Sequence, residues 1–117
     1  MLRGDVVVAP AVVGGDDGAM GLELRPTCEH CATPLPPDST EAMICSYECT
    51  FCRTCVDDVL LGVCPNCGGN FGPRPIRPAV AWRPGASLAD DPPGTRVVHK
   101  PVDPVAHRAF VERVTQA

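Results

Sequence analysis

Eight cysteines lie within forty residues, in the order Cys28-x2-Cys31-x13-Cys45-x3-Cys49-x2-Cys52-x2-Cys55-x8-Cys64-x2-Cys67. No other feature of the chain restricts its fold as strongly. Two residues between cysteines form a tight knuckle in which both sulfurs can face one ion, while backbone N–H groups of the turn disperse the thiolate charge. Eight thiols in four close pairs suit two tetrahedral sites of four ligands each. The stretch Cys64-Pro65-Asn66-Cys67-Gly68-Gly69 carries the strongest signal. Pro65 restrains the backbone after one thiol, and the two glycines tolerate the positive φ of a chain turning back beneath a metal.

Composition explains why such a chain needs a metal. Aromatic residues make up only 4% of its 117 residues, although 44% are hydrophobic, and Pro and Gly together number 25. Burial alone offsets little chain entropy in so small a domain. Clustered cysteines mean disulfides in an oxidising compartment and metal in a reducing one. The N-terminal run Val6–Val13 is broken by Pro10, its single Arg3 is balanced by Asp5, and no cleavage site follows, so it does not read as a secretory signal. No stretch approaches the ~20 apolar residues of a membrane span. A cytoplasmic location and zinc, two ions per chain, are the resulting expectations.

Charge and composition divide the chain. Residues 1–21 form a cysteine-free extension expected to be disordered, with Met20 an alternative start. Residues 22–72 form the eight-cysteine domain, where seven acids against Arg25 and Arg53 give a net −5. Residues 73–102 form a Pro/Gly-rich linker, in which Gly-Pro-Arg-Pro-Ile-Arg-Pro forbids helix and favours extended backbone. Residues 103–117 predict a short amphipathic helix, with Asp103 as N-cap, Pro104 at the first helical position, and Val105/Ala106, Ala109/Phe110 and Arg113/Val114 on one face. That face suits either the protein's own core or a partner. The segment 73–117 is net +3.

Within the cysteine domain, Val56, Val59, Leu60 and Val63 recur at helical spacing. The sequence predicts a short helix over 56–63, with Asp57 and Asp58 in its first turn, favourable to the dipole, and Gly62 ending it. Cys52 and Cys55 thus belong to a helix start, and Cys45 and Cys49 to the turning segment before it, so the two pairs should face different ions. Three combinations of pairs are open. The interleaved one joins Cys28/Cys31 to Cys52/Cys55 and Cys45/Cys49 to Cys64/Cys67. The sequential one joins Cys28/Cys31 to Cys45/Cys49. The nested one joins Cys28/Cys31 to Cys64/Cys67.

This order and spacing resemble the RING-type cross-brace zinc domain, with Cys49 where such domains often have His. Phe51 before the fifth ligand, the helix after the sixth and the closing Cys-Pro-Asn-Cys knuckle share the resemblance. It implies a small metal-stabilised α+β fold of RING-like, treble-clef or cross-brace type, with short β-hairpins and one short helix, followed by the Pro-rich linker and the C-terminal helix. It also implies interleaved ligation: Cys28, Cys31, Cys52 and Cys55 at the first site, and Cys45, Cys49, Cys64 and Cys67 at the second. The segment from Leu22 to Gly69 further resembles a family of small bacterial cysteine-rich proteins of unknown function. Ubiquitin ligation is not implied. Glu29 stands where RING ligases have an apolar residue, Gly68 and Gly69 follow the last ligand in place of a basic residue, and Trp82 lies outside the domain.

Other chemistries fit less well. Cys52-Arg53-Thr54-Cys55 before a helix has the form of a redox pair, but it lacks a surrounding βαβ pattern and leaves six thiols unexplained. Cys49, Cys52 and Cys55 followed by Cys64-Pro65 echo an iron–sulfur ligand run, with too long an interval before the Cys-Pro, and an electron-transfer or iron-sensing protein is the alternative this leaves. Hydrolytic zinc needs an open position, whereas eight cysteines close two sites. His30 reads as an exposed knuckle residue, and His99 and His107 have no partner at ligand spacing. Two zinc ions, each held by four thiolates, would take the core from −5 to about −9, the wrong sign for phosphate. That makes nucleic acid the weaker partner class, although Arg74, Arg77 and Arg83 could touch it. Arg25 and Arg53 either donate to the neighbouring thiolates or are solvated surface residues; the sequence leaves both open. The expectation is a non-catalytic zinc module that binds a protein partner.

Overall fold

The computed structural model describes residues 21–116. Residues 1–20 of the extension, Met20 among them, lie outside the described residues. The chain forms strand β1 (Ala42–Ile44), strand β2 (Thr50–Cys52), helix α1 (Arg53–Asp58), strand β3 (Gly72–Pro73) and helix α2 (Pro104–Gln116). The sheet is antiparallel with β1 at its centre, in the order β2-β1-β3. The result is a small α+β fold of three short strands and short helices.

The hairpin closes through its cysteines. The Cys45 N–H donates to the Cys49 carbonyl at 3.2 Å and the Glu48 N–H to the Cys45 carbonyl at 3.0 Å. Glu48 takes φ +66° to complete the turn, a left-handed conformation that costs a residue with a Cβ. Met43 faces Phe51 across the ladder. Phe51 is 1% exposed and meets Phe71 edge-on, with centroids 5.6 Å apart, the arrangement aromatic quadrupoles prefer. Around it lie Leu35, Ala42, Met43, Val56, Leu60 and six of the eight cysteines. The apolar core and the thiol clusters are thus one body, which is how so few large side chains suffice.

Helix α1 departs from the expectation. It begins at Arg53, directly after β2, with Cys52 as an extended N-cap, and it ends before Gly62. Asp57 and Asp58 therefore sit in its last residues and gain nothing from the dipole, which favours acids only at the N-terminal end. The competing demand is geometric: a single helical turn from Cys52 carries Cys55 back onto the same centre. The chain then unwinds, with the Val59 and Leu60 N–H groups both donating to the Cys55 carbonyl and the Gly62 N–H to the Val56 carbonyl. Leu61 (φ +55°) and Gly62 (φ +79°) make this stop. The expected apolar stripe is still inward, with Val56, Leu60 and Val63 buried and Val59 packed against the core.

The segment after β3 has no regular secondary structure until α2, yet it folds back over the cysteine region. Gly94 N–H donates to the Leu24 carbonyl at 3.0 Å and Lys100 N–H to the Glu29 carbonyl at 2.8 Å. Arg96 meets Glu23 at 2.6 Å. Ile76, Val80, Trp82 and Val97 remain exposed along it, with Trp82 73% exposed.

Helix α2 begins as expected, with Asp103 Oδ1 accepting from the Val105 and Ala106 N–H groups. Its inner face differs. Val105 is 80% exposed, whereas His107 is buried and its Nε2–H donates to the Leu60 carbonyl at 2.8 Å. Phe110 and Val114 continue that face onto Gly68. The helix packs on this protein's own core, and the register was hidden because its anchor is a histidine, a polar residue in any hydrophobic pattern.

Candidate metal centre

Each cysteine is placed by a short local device. In the first knuckle, Cys28 N–H donates to the Thr33 carbonyl and Ala32 N–H to the Cys28 carbonyl, both at 2.9 Å, and Ala32 takes φ +64°. Cys31 N–H then points at Cys28 Sγ, 3.5 Å away. Strand β2 ends on Cys52 and the first turn of α1 supplies Cys55. The Sγ atoms of Cys28, Cys31, Cys52 and Cys55 all lie within 4.8 Å of one another, with Cys31 and Cys52 3.8 Å apart. A tetrahedral ion with Zn–S bonds of ~2.3 Å has sulfur–sulfur edges of about 3.8 Å. The donor set and its spacing fit such an ion.

The second cluster uses the hairpin loop and the closing knuckle. Tyr47 N–H reaches Cys45 Sγ at 3.3 Å. Gly68 N–H donates to the Cys64 carbonyl at 2.8 Å, at φ +80°. Cys45, Cys49 and Cys64 are buried with their sulfurs within 4.8 Å of one another. Cys67 is exposed and outside that spacing, although close enough to Cys64 to act on its thiol. Gly69 N–H lies 3.4 Å from Cys67 Sγ. Two cysteine-rich groups that can hold metal ions are therefore present, a group of four and a group of three with a fourth thiol beside it.

Packing thiols together sets their protonation against itself. Burial pushes the Cys52, Cys55 and Cys64 thiols up, and the neighbouring Cys28 charge adds to this at Cys52 and Cys55. Burial also raises Cys49, reinforced by Cys45. Burial opposes ionisation at Cys31 too, but the Thr33 hydroxyl and backbone and the adjacent thiols outweigh it and bring Cys31 down to about 6. Cys45 is lowered in the same way, against burial, by the Tyr47 and Cys49 N–H groups. Such a mixed set is a poor tetra-anion by itself. A divalent cation reverses the balance by supplying the charge the thiolates lack.

The structure corrects three readings of nearby residues. Arg25 does not donate to a thiolate; it pairs with Glu23 at 3.1 Å and Glu29 at 2.5 Å. Arg53 reaches the Thr40 carbonyl. His30 is half-buried rather than exposed, with its Nδ1 accepting from Val102 N–H at 2.9 Å. For Arg25 the competitors are carboxylates two and four residues away, whereas the Thr40 carbonyl and the Val102 N–H are brought in by the fold. No histidine joins a thiol cluster among the described residues.

Two residues escaped the sequence reading. Glu29 is 1% exposed; its Oε2 accepts from Thr50 N–H at 2.7 Å as well as from Arg25, and Asn66 Nδ2 lies 3.4 Å from Oε1. An acid between two knuckle cysteines, four residues after an arginine, was the available signal. Arg74 is 4% exposed and donates to the carbonyls of Arg25, Leu35 and Pro36. Nothing in its Pro-rich surroundings marks it.

Fold and site together define a small cysteine-rich α+β protein with two thiol clusters able to hold metal ions. The chain belongs to the family described as "Protein of unknown function (DUF1272)", which matches residues 21–77 and so includes every cysteine. It is 49% identical over 88 residues to uncharacterized protein R02474 of Rhizobium meliloti (strain 1021), an alignment covering 75% of this chain and 98% of that relative. No solved structure matches the chain.

Proposed function

We propose that the protein is a structural zinc module that binds two ions and serves as a platform for a protein partner, without catalysis of its own. Cys28, Cys31, Cys52 and Cys55 hold the first ion, and Cys45, Cys49, Cys64 and Cys67 the second, in a RING-like cross-brace. The observation that carries this reading is the set of four sulfurs within 4.8 Å, with one edge at 3.8 Å. All-thiolate, four-coordinate sites are closed and leave no position for substrate. Each structural zinc supplies ~10–16 kcal/mol in small zinc-finger peptides, as much as the whole stability of an ordinary domain.

The contact surface follows from what the fold leaves uncovered. Helix α2 turns Phe110 and Val114 onto the protein's own core, and the exposed Ile76, Val80 and Trp82, three apolar residues within seven positions of the Pro-rich segment, offer apolar contacts; Tyr47, Leu61, Val97 and Val105 are exposed singly elsewhere. Glu29 faces inward, which removes it from the surface that RING ligases use. The nucleic-acid reading loses Arg74 to burial and Arg77 to the Leu22 and Asp91 carbonyls. The iron–sulfur reading needs Cys49 beside Cys52 and Cys55, whereas Cys49 lies with Cys45 and Cys64.

The test is native mass spectrometry with elemental analysis on protein purified without added metal. Two zinc ions per chain support the proposal, and a chelator that removes them should abolish far-UV circular dichroism. Iron with acid-labile sulfide would overturn it. So would a cooperative fold that survives complete metal removal.

A further inference from the structure

The Glu29 side chain touches the supporting turns of both thiol clusters. It lies inside the first knuckle, between Cys28 and Cys31. Its own N–H donates to the Thr50 carbonyl at 3.0 Å while its Oε2 accepts from the Thr50 N–H at 2.7 Å. Thr50 directly follows Cys49 of the second cluster and precedes Cys52 of the first by two residues. Glu29 Oε1 faces Asn66 Nδ2 at 3.4 Å, and Asn66 lies inside the second cluster's closing knuckle, between Cys64 and Cys67. Arg25 balances the carboxylate charge, and the Glu29 carbonyl accepts the returning chain at Lys100. A carboxylate buried to 1% exposure is costly unless its acceptor sites are used. Here they are used on the two turns that must be ordered for metal.

We propose that Glu29 couples the two metal sites, so that filling one organises the ligands of the other. This inference rests on the two-ion reading above. Loading the first site fixes the 28–31 knuckle and with it the Glu29 side chain. Glu29 then holds Thr50, and so Cys49, in place and orients the Asn66 knuckle that carries Cys64 and Cys67. Coupling is reciprocal, so loading the second site favours the first equally. The route does not need contact between the ions, and its members are positioning residues rather than ligands.

The experiment is titration of the metal-free full chain with zinc in a chelator-buffered series, read by native mass spectrometry as zero-, one- and two-ion species. The wild type should pass from zero to two ions with the one-ion species suppressed on the order of tenfold below its statistical share. Glu29→Gln keeps the shape but loses the charge and one acceptor, and the one-ion species should rise toward that share. Asn66→Ala, at an exposed position, removes the second-site arm together with the Asn66 contact to the Cys49 thiol and should do so in part, which keeps the test usable if Glu29→Gln fails to fold. Leu60→Ala is the control. It weakens the same core without touching the network, so it should raise the zinc needed for both ions while leaving the one-ion species suppressed. The proposal is overturned if the wild type loads its ions independently, or if both network variants keep the one-ion species as scarce as Leu60→Ala does. Failure of any form to bind zinc would instead remove the two-ion reading itself.

Discussion

Replacing Arg74 with Ala tests how far the tail contributes to metal-dependent folding. Its guanidinium is buried with no carboxylate beside it among the described residues, and burial alone pulls its pKa below the ordinary arginine value. It is held by three carbonyls, those of Arg25 at 2.9 Å, Leu35 at 3.1 Å and Pro36 at 2.9 Å, while Nε finds no partner among the described residues. These carbonyls belong to the loop that carries the first knuckle. Hydrogen bonds from a charged donor contribute about 1.5–3 kcal/mol each after ordinary desolvation, so three set an upper range of about 5–9 kcal/mol. Burial without a counter-charge raises this cation's desolvation above the ordinary case by several kcal/mol, which removal recovers, and the net loss is ~3 kcal/mol. If folding and the binding of two ions occur as one step, stability changes with twice the logarithm of free zinc. At ~1.4 kcal/mol per decade, 3 kcal/mol moves the midpoint of zinc-induced folding by about one decade. Circular dichroism at 222 nm in zinc-buffered solutions reads that midpoint. Arg74→Lys should fall between wild type and Arg74→Ala, because a point charge cannot span three divergent carbonyls. A shift below about twofold for Arg74→Ala would refute the argument and place the residue among incidental contacts.

Cys45→Ser should leave one zinc per chain, held by Cys28, Cys31, Cys52 and Cys55; native mass spectrometry that finds two ions, or a remaining ion protected by Cys64 rather than Cys28 in alkylation mapping, would contradict the grouping. Gly68→Ala should cost roughly 1–2 kcal/mol because φ is +80° there. The added Cβ would meet Phe110 Cζ at an ordinary 3.5 Å, so backbone strain rather than a clash should loosen α2, visible as faster amide exchange along residues 107–114 with two zinc ions still bound.

Spacing made six of the eight cysteines legible as knuckles, because a knuckle is a local device: two intervening residues and a few N–H groups suffice to aim its sulfurs; Cys45 and Cys49, three residues apart, joined them as a fourth close pair. The start of α2 was legible for the same reason, since Asp103 caps a helix with its own side chain and Pro104 costs nothing at the first position. Phe51 was marked by the resemblance to RING-type domains, which carry an aromatic just before the fifth ligand, and it is 1% exposed. The limits of α1 were not legible. Propensity and dipole favoured a start near Val56, but the need to bring Cys55 back toward Cys52 moved it to Arg53, and that need exists only once the strands are paired. Glu29, Arg74 and His107 read in sequence as surface residues. They are buried because distant backbone groups, at Thr50, at Leu35 and Pro36, and at Leu60, arrive to satisfy them. A polar side chain records its own chemistry in the sequence but not the partner that permits its burial. Local geometry therefore told which residues could serve a metal, and long-range hydrogen bonding decided which thiols meet and what holds them together.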